Sequence, residues 1–309
     1  MRSLLALGRL APAAAPALTL RCAEIYRNDG SLGAAYALYQ EYFRSGAIDA
    51  RAYLGVGRLW LEKGQLAPAL SALTRARQLD PANADTLFSL GNLYFELQRY
   101  DDAIRSYRVA LACDPRDIRV IYNLGHALSR AERTDDALEA FRRVIAESPK
   151  YYKAHFMVGY LLARSGDVEQ AIEAYLDTLR IRPDYERAHY NLGNCQVKLG
   201  RVDKAMKAYL RTIDLNPGYG KAYLALGQLY LMQGDTQGAI SAFVSAMYCS
   251  PMLTETHFHL AQAYERIGRY RDAIKEYEAF LRANRVSEII AHVRARIEEI
   301  AMKLSPSPI

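Results

Sequence analysis

Residues 183–217 read PDYERAHYNLGNCQVKLGRVDKAMKAYLRTIDLNP, a stretch with proline at both ends. The same proline recurs every 34 residues, at Pro81, Pro115, Pro149, Pro183, Pro217 and Pro251, with no insertion or deletion between them. A fixed period of this size marks a stack of like supersecondary units, each burying its apolar face against the next. It overrides the two domains that 309 residues would otherwise suggest.

Let each repeat end two residues after its proline. Successive units then begin at about 16, 50, 84, 118, 152, 186, 220 and 254, and proline takes position 32. Position 8 is small throughout: Gly57, Gly91, Gly125, Gly159, Gly193, Gly227 and Ala261. Position 20 is always alanine, from Ala69 and Ala103 to Ala239 and Ala273. Two helices approach closely only where side chains are small, so these rows mark the crossing of a first helix, A, with a second, B. Bulky residues at positions 4, 7 and 11, such as Leu87, Leu90 and Tyr94, follow the i, i+3, i+7 spacing of one helical face. Glycine at position 15 (Gly64, Gly166, Gly200, Gly234, Gly268) punctuates the turn between the helices. The proline ends helix B and opens the next unit.

These small-residue and proline positions resemble the tetratricopeptide repeat, one by one and over nearly the whole chain. The resemblance implies an all-α, right-handed α-solenoid of about eight helix-turn-helix repeats spanning 16–287. The first and eighth units lack the proline, as solenoid ends facing water do. Val286, Ile290, Val293, Ile297, Ile300 and Leu304 form one apolar stripe, so 288–304 reads as a capping helix before a disordered tail, 305–309. Arg294 with Glu298 and Glu299 with Lys303 are spaced to pair on its polar side.

Residues 1–15 are expected to form a weakly structured leader. Arg2, a short apolar run and Ala/Pro-rich sequence partly match a secretory signal, but Gly8 and Arg9 interrupt the apolar core. A cytoplasmic location is therefore expected, with export or organelle targeting as the alternative. No stretch approaches the roughly 18 apolar residues of a membrane span. The hydrophobic content of 51% is that of a folded chain rather than a disordered one. Cys22, Cys113, Cys195 and Cys249 have none of the paired spacings of zinc or disulfide frameworks. No catalytic or phosphate-binding motif occurs, so neither an enzyme nor a cofactor is expected. His155, His189 and His257 share position 4 with Tyr53, Leu87 and Tyr223 and read as core-facing substitutes for an aromatic ring.

Positions 2, 6, 9 and 13 fall within about 60° of one another on helix A and form one exposed stripe. From the fourth to the seventh repeat, positions 2 and 13 hold Arg119, Arg130, Lys153, Arg164, Arg187, Lys198 and Lys221, and no acid. The chain has 40 basic and 34 acidic residues, a net charge of +6; without those seven it would have 33 and 34, or −1. Asn123, His126, Asn191 and Asn194 lie between the cations, and Tyr122, Phe156 and Tyr190 flank them as candidate apolar pockets. Asparagine can grip a peptide backbone and the cations can take carboxylates.

The resemblance implies that the A helices line a concave, ligand-binding surface. The expected function is thus a non-catalytic scaffold that binds a partner segment carrying acidic residues or a free carboxylate across repeats 4–7. The family's two-carboxylate clamp needs lysine at position 5, which is aromatic or aliphatic here, so chaperone tails are not the expected ligand. The spacing of Asn123 and Asn191 is similar instead to the asparagine ladder in the repeats of protein O-GlcNAc transferases. That ladder is interrupted here at Ser89, Met157 and Ala225. A self-assembling homo-oligomeric platform and an accessory subunit of a separate enzyme are the alternatives. Nucleic acid is disfavoured, because Asp85, Glu96 and Glu255 stand where a long strand would exit.

Overall fold

The structure is a computed structural model and describes residues 15–284 and 287–304. The leader up to residue 14, Arg285, Val286 and the tail 305–309 lie outside them. The described residues form seventeen helices and no strand. These are α1 (Ala15–Asn28), α2 (Leu32–Arg44), α3 (Ala50–Glu62), α4 (Leu66–Leu79), α5 (Ala84–Glu96), α6 (Tyr100–Cys113), α7 (Ile118–Arg130) and α8 (Thr134–Glu147). They continue with α9 (Tyr152–Ser165), α10 (Val168–Ile181), α11 (Glu186–Lys198), α12 (Val202–Leu215), α13 (Gly220–Gln233), α14 (Thr236–Cys249), α15 (Glu255–Arg266), α16 (Tyr270–Ala283) and α17 (Ser287–Leu304). Odd-numbered helices up to α15 are the A helices, and each packs on the B helix that follows it. The chain divides into two compact units between Ala154 and His155.

In the third to seventh repeats the crossing is made by glycine and a ring, and in the second by Gly57 and Leu73. A Cβ placed on Gly91 would stand 2.4 Å from the Tyr107 ring, and one on Gly227 would stand 2.5 Å from Phe243. Position 24 supplies that ring, and Tyr107, Phe141, Tyr175, Tyr209 and Phe243 are all buried. The position-20 alanines are wholly buried beside them. Space here is fully used, so a side chain at position 8 overpacks by about 1–3 kcal/mol, and deleting the ring costs about 3–5 kcal/mol.

In the first unit this core runs through Tyr39, Leu59, Leu73, Leu90 and Leu93. In the second it runs through Tyr209, Leu226 and Leu229, then Leu224, Phe243 and Leu260. There α17 lays Val293 and Ile300, both fully buried, on Tyr277 and Phe280 of α16. Leu304, assigned to the same stripe by spacing, is instead largely exposed. The ion pairs of α17 also differ from the i,i+4 expectation: Arg296 binds Glu299 and reaches back to Glu265 of α15.

The A–B turn is left-handed at position 15 in every unit. Gly64, Gly166, Gly200, Gly234 and Gly268 have φ between 68° and 97°, but Gln98 and Glu132 adopt the same conformation at 58° and 60°. Packing of the helices on either side imposes the turn even where an L side chain resists it.

Candidate functional site

Along each unit, neighbouring A helices are joined by polar rungs between residues 31 apart, position 9 of one repeat to position 6 of the next. In the first unit Arg58 Nε donates to Ser89 Oγ at 2.9 Å, and Asn123 Nδ2 donates to Asn92 Oδ1 at 2.9 Å. The hydroxyl of Tyr107 donates to the same Asn92 oxygen at 2.7 Å, and burial pushes its pKa well above the usual tyrosine value. In the second unit Gln228 meets His259 at 2.9 Å in the same register. That register sets Asn191 opposite Tyr160 and Asn194 opposite Ala225, and no rung forms at either place. Asn194 Oδ1 instead accepts the Tyr209 hydroxyl at 2.8 Å.

Among the cations of positions 2 and 13, Arg51 and Arg119 are held by acids. Arg119 is held by Asp117, which lies 2.7 Å away, with Asp85 at 3.8 Å. Asp117 also caps α7 by accepting from the Arg119 and Val120 amides, and the guanidinium beside it holds its carboxyl below the usual carboxylate range. Asp49 does the same for Arg51 at the start of α3. Arg130 is exposed over the Tyr100 ring at 5.3 Å, and Lys153 is exposed in the first turn of α9.

In the second unit the residue before each A helix is no longer acidic. Tyr185 and Tyr219 take that place, and among the described residues none of Arg164, Arg187, Lys198 and Lys221 forms an ion pair. Arg187 lies over Phe156 at 5.4 Å and Arg164 over Tyr160 at 5.9 Å. Lys198 Nζ donates to the Ala163 carbonyl at 3.0 Å, and Lys221 is exposed.

The position-5 rings pack inside their own repeats, Phe156 wholly so, while Tyr122 and Tyr190 also line open cavities. Tyr122 packs between Phe141 and Tyr151 at 5.5 and 5.2 Å, and Tyr190 between Tyr209 and Tyr219 at 5.8 and 5.1 Å. Phe156 lies against Tyr175 and Tyr185 and is only 5% exposed. Burial raises the Tyr190 hydroxyl pKa and pushes that of Tyr219 up to about 12, so both stay neutral donors. These rings stiffen the wall that carries the polar groups.

His126 stacks edge-on to Tyr122 and Phe141, and burial lowers its pKa, which keeps it uncharged near neutral pH. The position-4 histidines are half-buried and face polar groups, with hydrogen bonds at His189 and His257. His257 Nδ1 sits 2.7 Å from Glu276, His155 Nδ1 is 3.9 Å from Asp177, and His189 bonds the Pro183 carbonyl. Among the described residues no group of three metal-ligating side chains gathers, and no helix is long and apolar enough to cross a membrane.

Two cavities open on these faces. One of about 730 Å³ in the first unit is lined by Arg27, Arg58, Phe88, Asn92, Arg119 and Asn123 among others. The other, of about 350 Å³, lies in the second unit between α11 and α13. The reading of repeats 4–7 missed Arg58 and Asn92 in the former. Their polar types at position 9, on the same stripe, were the available signal.

Models of the tetratricopeptide repeat match residues 122–186 and 258–298, and further models of the repeat match 91–132, 186–219 and 208–241. Together they take in more than half of the chain. This is a tetratricopeptide-repeat protein. The fold is that of a protein-interaction scaffold, a class that is generally non-catalytic. Among solved structures, the chain is similar to the MamA protein, at 28% identity and a TM-score of 0.51 over 56% of this chain and 94% of that one. It also resembles pilF of Pseudomonas aeruginosa, at 22% identity and a TM-score of 0.57 over 65% and 92%. A tetratricopeptide repeat protein from Parabacteroides merdae matches at 18% identity and a TM-score of 0.62 over 82% and 98%. Comparison with curated proteins returns no match.

Proposed function

We propose that this tetratricopeptide-repeat protein holds an acidic segment of a protein partner along the A-helix face of its second unit. The observation that carries the reading is the set of cations there, Arg164, Arg187, Lys198 and Lys221, which no carboxylate of the described residues neutralises. From Arg164 to Lys221 positions 2 and 13 carry no acid, Glu255 bounding the stretch, and such a stretch focuses its field on a ligand of opposite sign. Exposed ion pairs contribute about 1 kcal/mol or less each, so several such contacts with backbone hydrogen bonds support affinity near the micromolar range. Asn191 keeps the backbone-gripping role that likeness to the asparagine ladder of protein O-GlcNAc transferases implies. The amide of Asn123 gives one hydrogen to Asn92 and keeps its carbonyl for the same role.

Affinity capture with the wild type and with a variant carrying Arg164→Glu, Arg187→Glu, Lys198→Glu and Lys221→Glu tests this. Partners retained by the wild type should be lost by the variant, and retention of the same set by both rejects the reading. A second reading, self-assembly, is favoured by Val244, Tyr248 and Met252, which lie exposed along α14 and the turn after it. Sedimentation of the wild type and Tyr248→Glu over a concentration range separates the two. A concentration-dependent dimer abolished by the substitution supports assembly.

A further inference from the structure

Two small or apolar side chains of the second-unit face meet in one cavity. Position 6 makes a polar rung at Ser89, Asn123 and His259, but not at Met157 or Asn191. In the seventh repeat it is Ala225, whose side chain stops at Cβ and leaves Asn194 without a partner across the gap. Position 13 runs Arg130, Arg164, Lys198 and then Met232, before returning to Arg266. Ala225 and Met232 both line the cavity of about 350 Å³, with Tyr190, Tyr209, Leu224 and Leu229 forming more of its wall.

Leu224 and Leu229 are buried, while Met232 is 70% exposed and Val197, also on the lining, is 37% exposed. The floor is thus packed and apolar, and the rim offers a flexible thioether that can mould to a guest. Asn194, Gln228, Lys221 and Glu255 share the lining with these apolar groups. Its volume lies at the low end of the range for binding pockets, room for one large side chain rather than a whole small ligand.

We infer that this cavity is a specificity pocket for a single bulky apolar side chain of the bound segment, flanked in the ligand by carboxylates that meet Lys221 and Lys198. The partner is then not simply acidic. It carries an aromatic or branched aliphatic residue among Asp and Glu, which the rung-closing residue of an ordinary repeat would exclude. This rests on the proposed binding of an acidic segment along the second-unit face.

The test pans a phage-displayed library of random twelve-residue peptides on the full chain, on the charge-reversed variant, on Ala225→Gln and on Met232→Lys. Wild type should enrich a bulky apolar residue at a fixed distance from acids. A synthetic consensus peptide should bind Ala225→Gln about tenfold or more weakly by fluorescence anisotropy, the range that a filled apolar pocket gives. Replacing its apolar residue by alanine should weaken wild type as much and the variant little. Met232→Lys changes an exposed side chain and keeps the test valid should Ala225→Gln misfold. An acidic consensus with no apolar position, or equal affinity for all three proteins, overturns the pocket and leaves the acidic-segment reading standing. No enrichment by wild type over the charge-reversed variant overturns both.

Discussion

From Arg51 to Asn123 the A-helix face of the first unit binds its own polar groups, whereas in the second the cations from Arg164 to Lys221 have no acid partner among the described residues. In the first, Arg51 and Arg119 are each gripped by the aspartate two residues before them, Arg58 by Asp85 and Ser89, and Asn123 by Asn92. In the second, the aspartate is replaced by Tyr185 or Tyr219, the following Arg187 and Lys221 lose their local acid, and Asn191 and Asn194 face residues that make no rung. A change at one position, the last of each repeat, therefore exchanges a helix cap for a ring and a neutralised cation for a free one. What differs between the units is how the same scaffold spends its polar groups.

The largest expected effect comes from exchanging the residues at that position. Asp117→Ala removes both the cap of α7 and the partner of Arg119, and should cost about 1–2 kcal/mol in urea unfolding near pH 7. The folded pKa of Asp117 is depressed, so its contribution is present above the unfolded carboxylate value of about 4 and lost as pH falls through the folded value. The penalty of Asp117→Ala should shrink accordingly in acid, and one that persists there would remove the ionic part of the explanation. Tyr219→Asp should do the reverse in the second unit. It supplies an acid to Lys221 and should weaken acidic-peptide binding severalfold.

A smaller effect separates the two asparagines. Asn123→Ala breaks the half-buried rung to Asn92 and should lower stability by about 1 kcal/mol. Asn191→Ala should leave the unfolding midpoint unchanged and show its effect only in peptide titrations. Equal stability losses would mean that the second face is as closed as the first.

The smallest effect concerns the turns. Gln98 and Glu132 hold φ near 60° in the first unit, where every corresponding turn of the second has glycine. Gln98→Gly and Glu132→Gly should each stabilise by about 0.5–1 kcal/mol, relief of the left-handed strain exceeding the added chain entropy. Their unfolding midpoints check it.

The fold was fully legible, because the proline period fixed the register and positions 8 and 20 revealed the crossing without any contact being known. The cation row was legible as a row, but its neutralisation was not. Asp117 and Asp49 sit before the helix, outside the stripe defined by helical angles, and reach the cation through a capping conformation. The cover over the rings at position 5 was illegible for a related reason. Helical phase places Tyr122, Phe156 and Tyr190 beside the face, yet Tyr151, Tyr185 and Tyr219, each 29 residues on, cover them, and only the return of the chain brings these together. The cavity at Ala225 required the pairing of residues 31 apart, a spacing that no single helix displays.

That spacing has an evolutionary consequence. The glycine and ring that hold a repeat together lie within one unit, whereas the rungs lie between units and outside the packed crossing. Rungs can therefore be gained, lost or inverted one at a time with the stack intact, as Ser89, Asn123, Ala225 and His259 already illustrate at one position. The face behaves as a row of independent characters printed on an indifferent spine, and a new partner can be acquired by respelling a few of them.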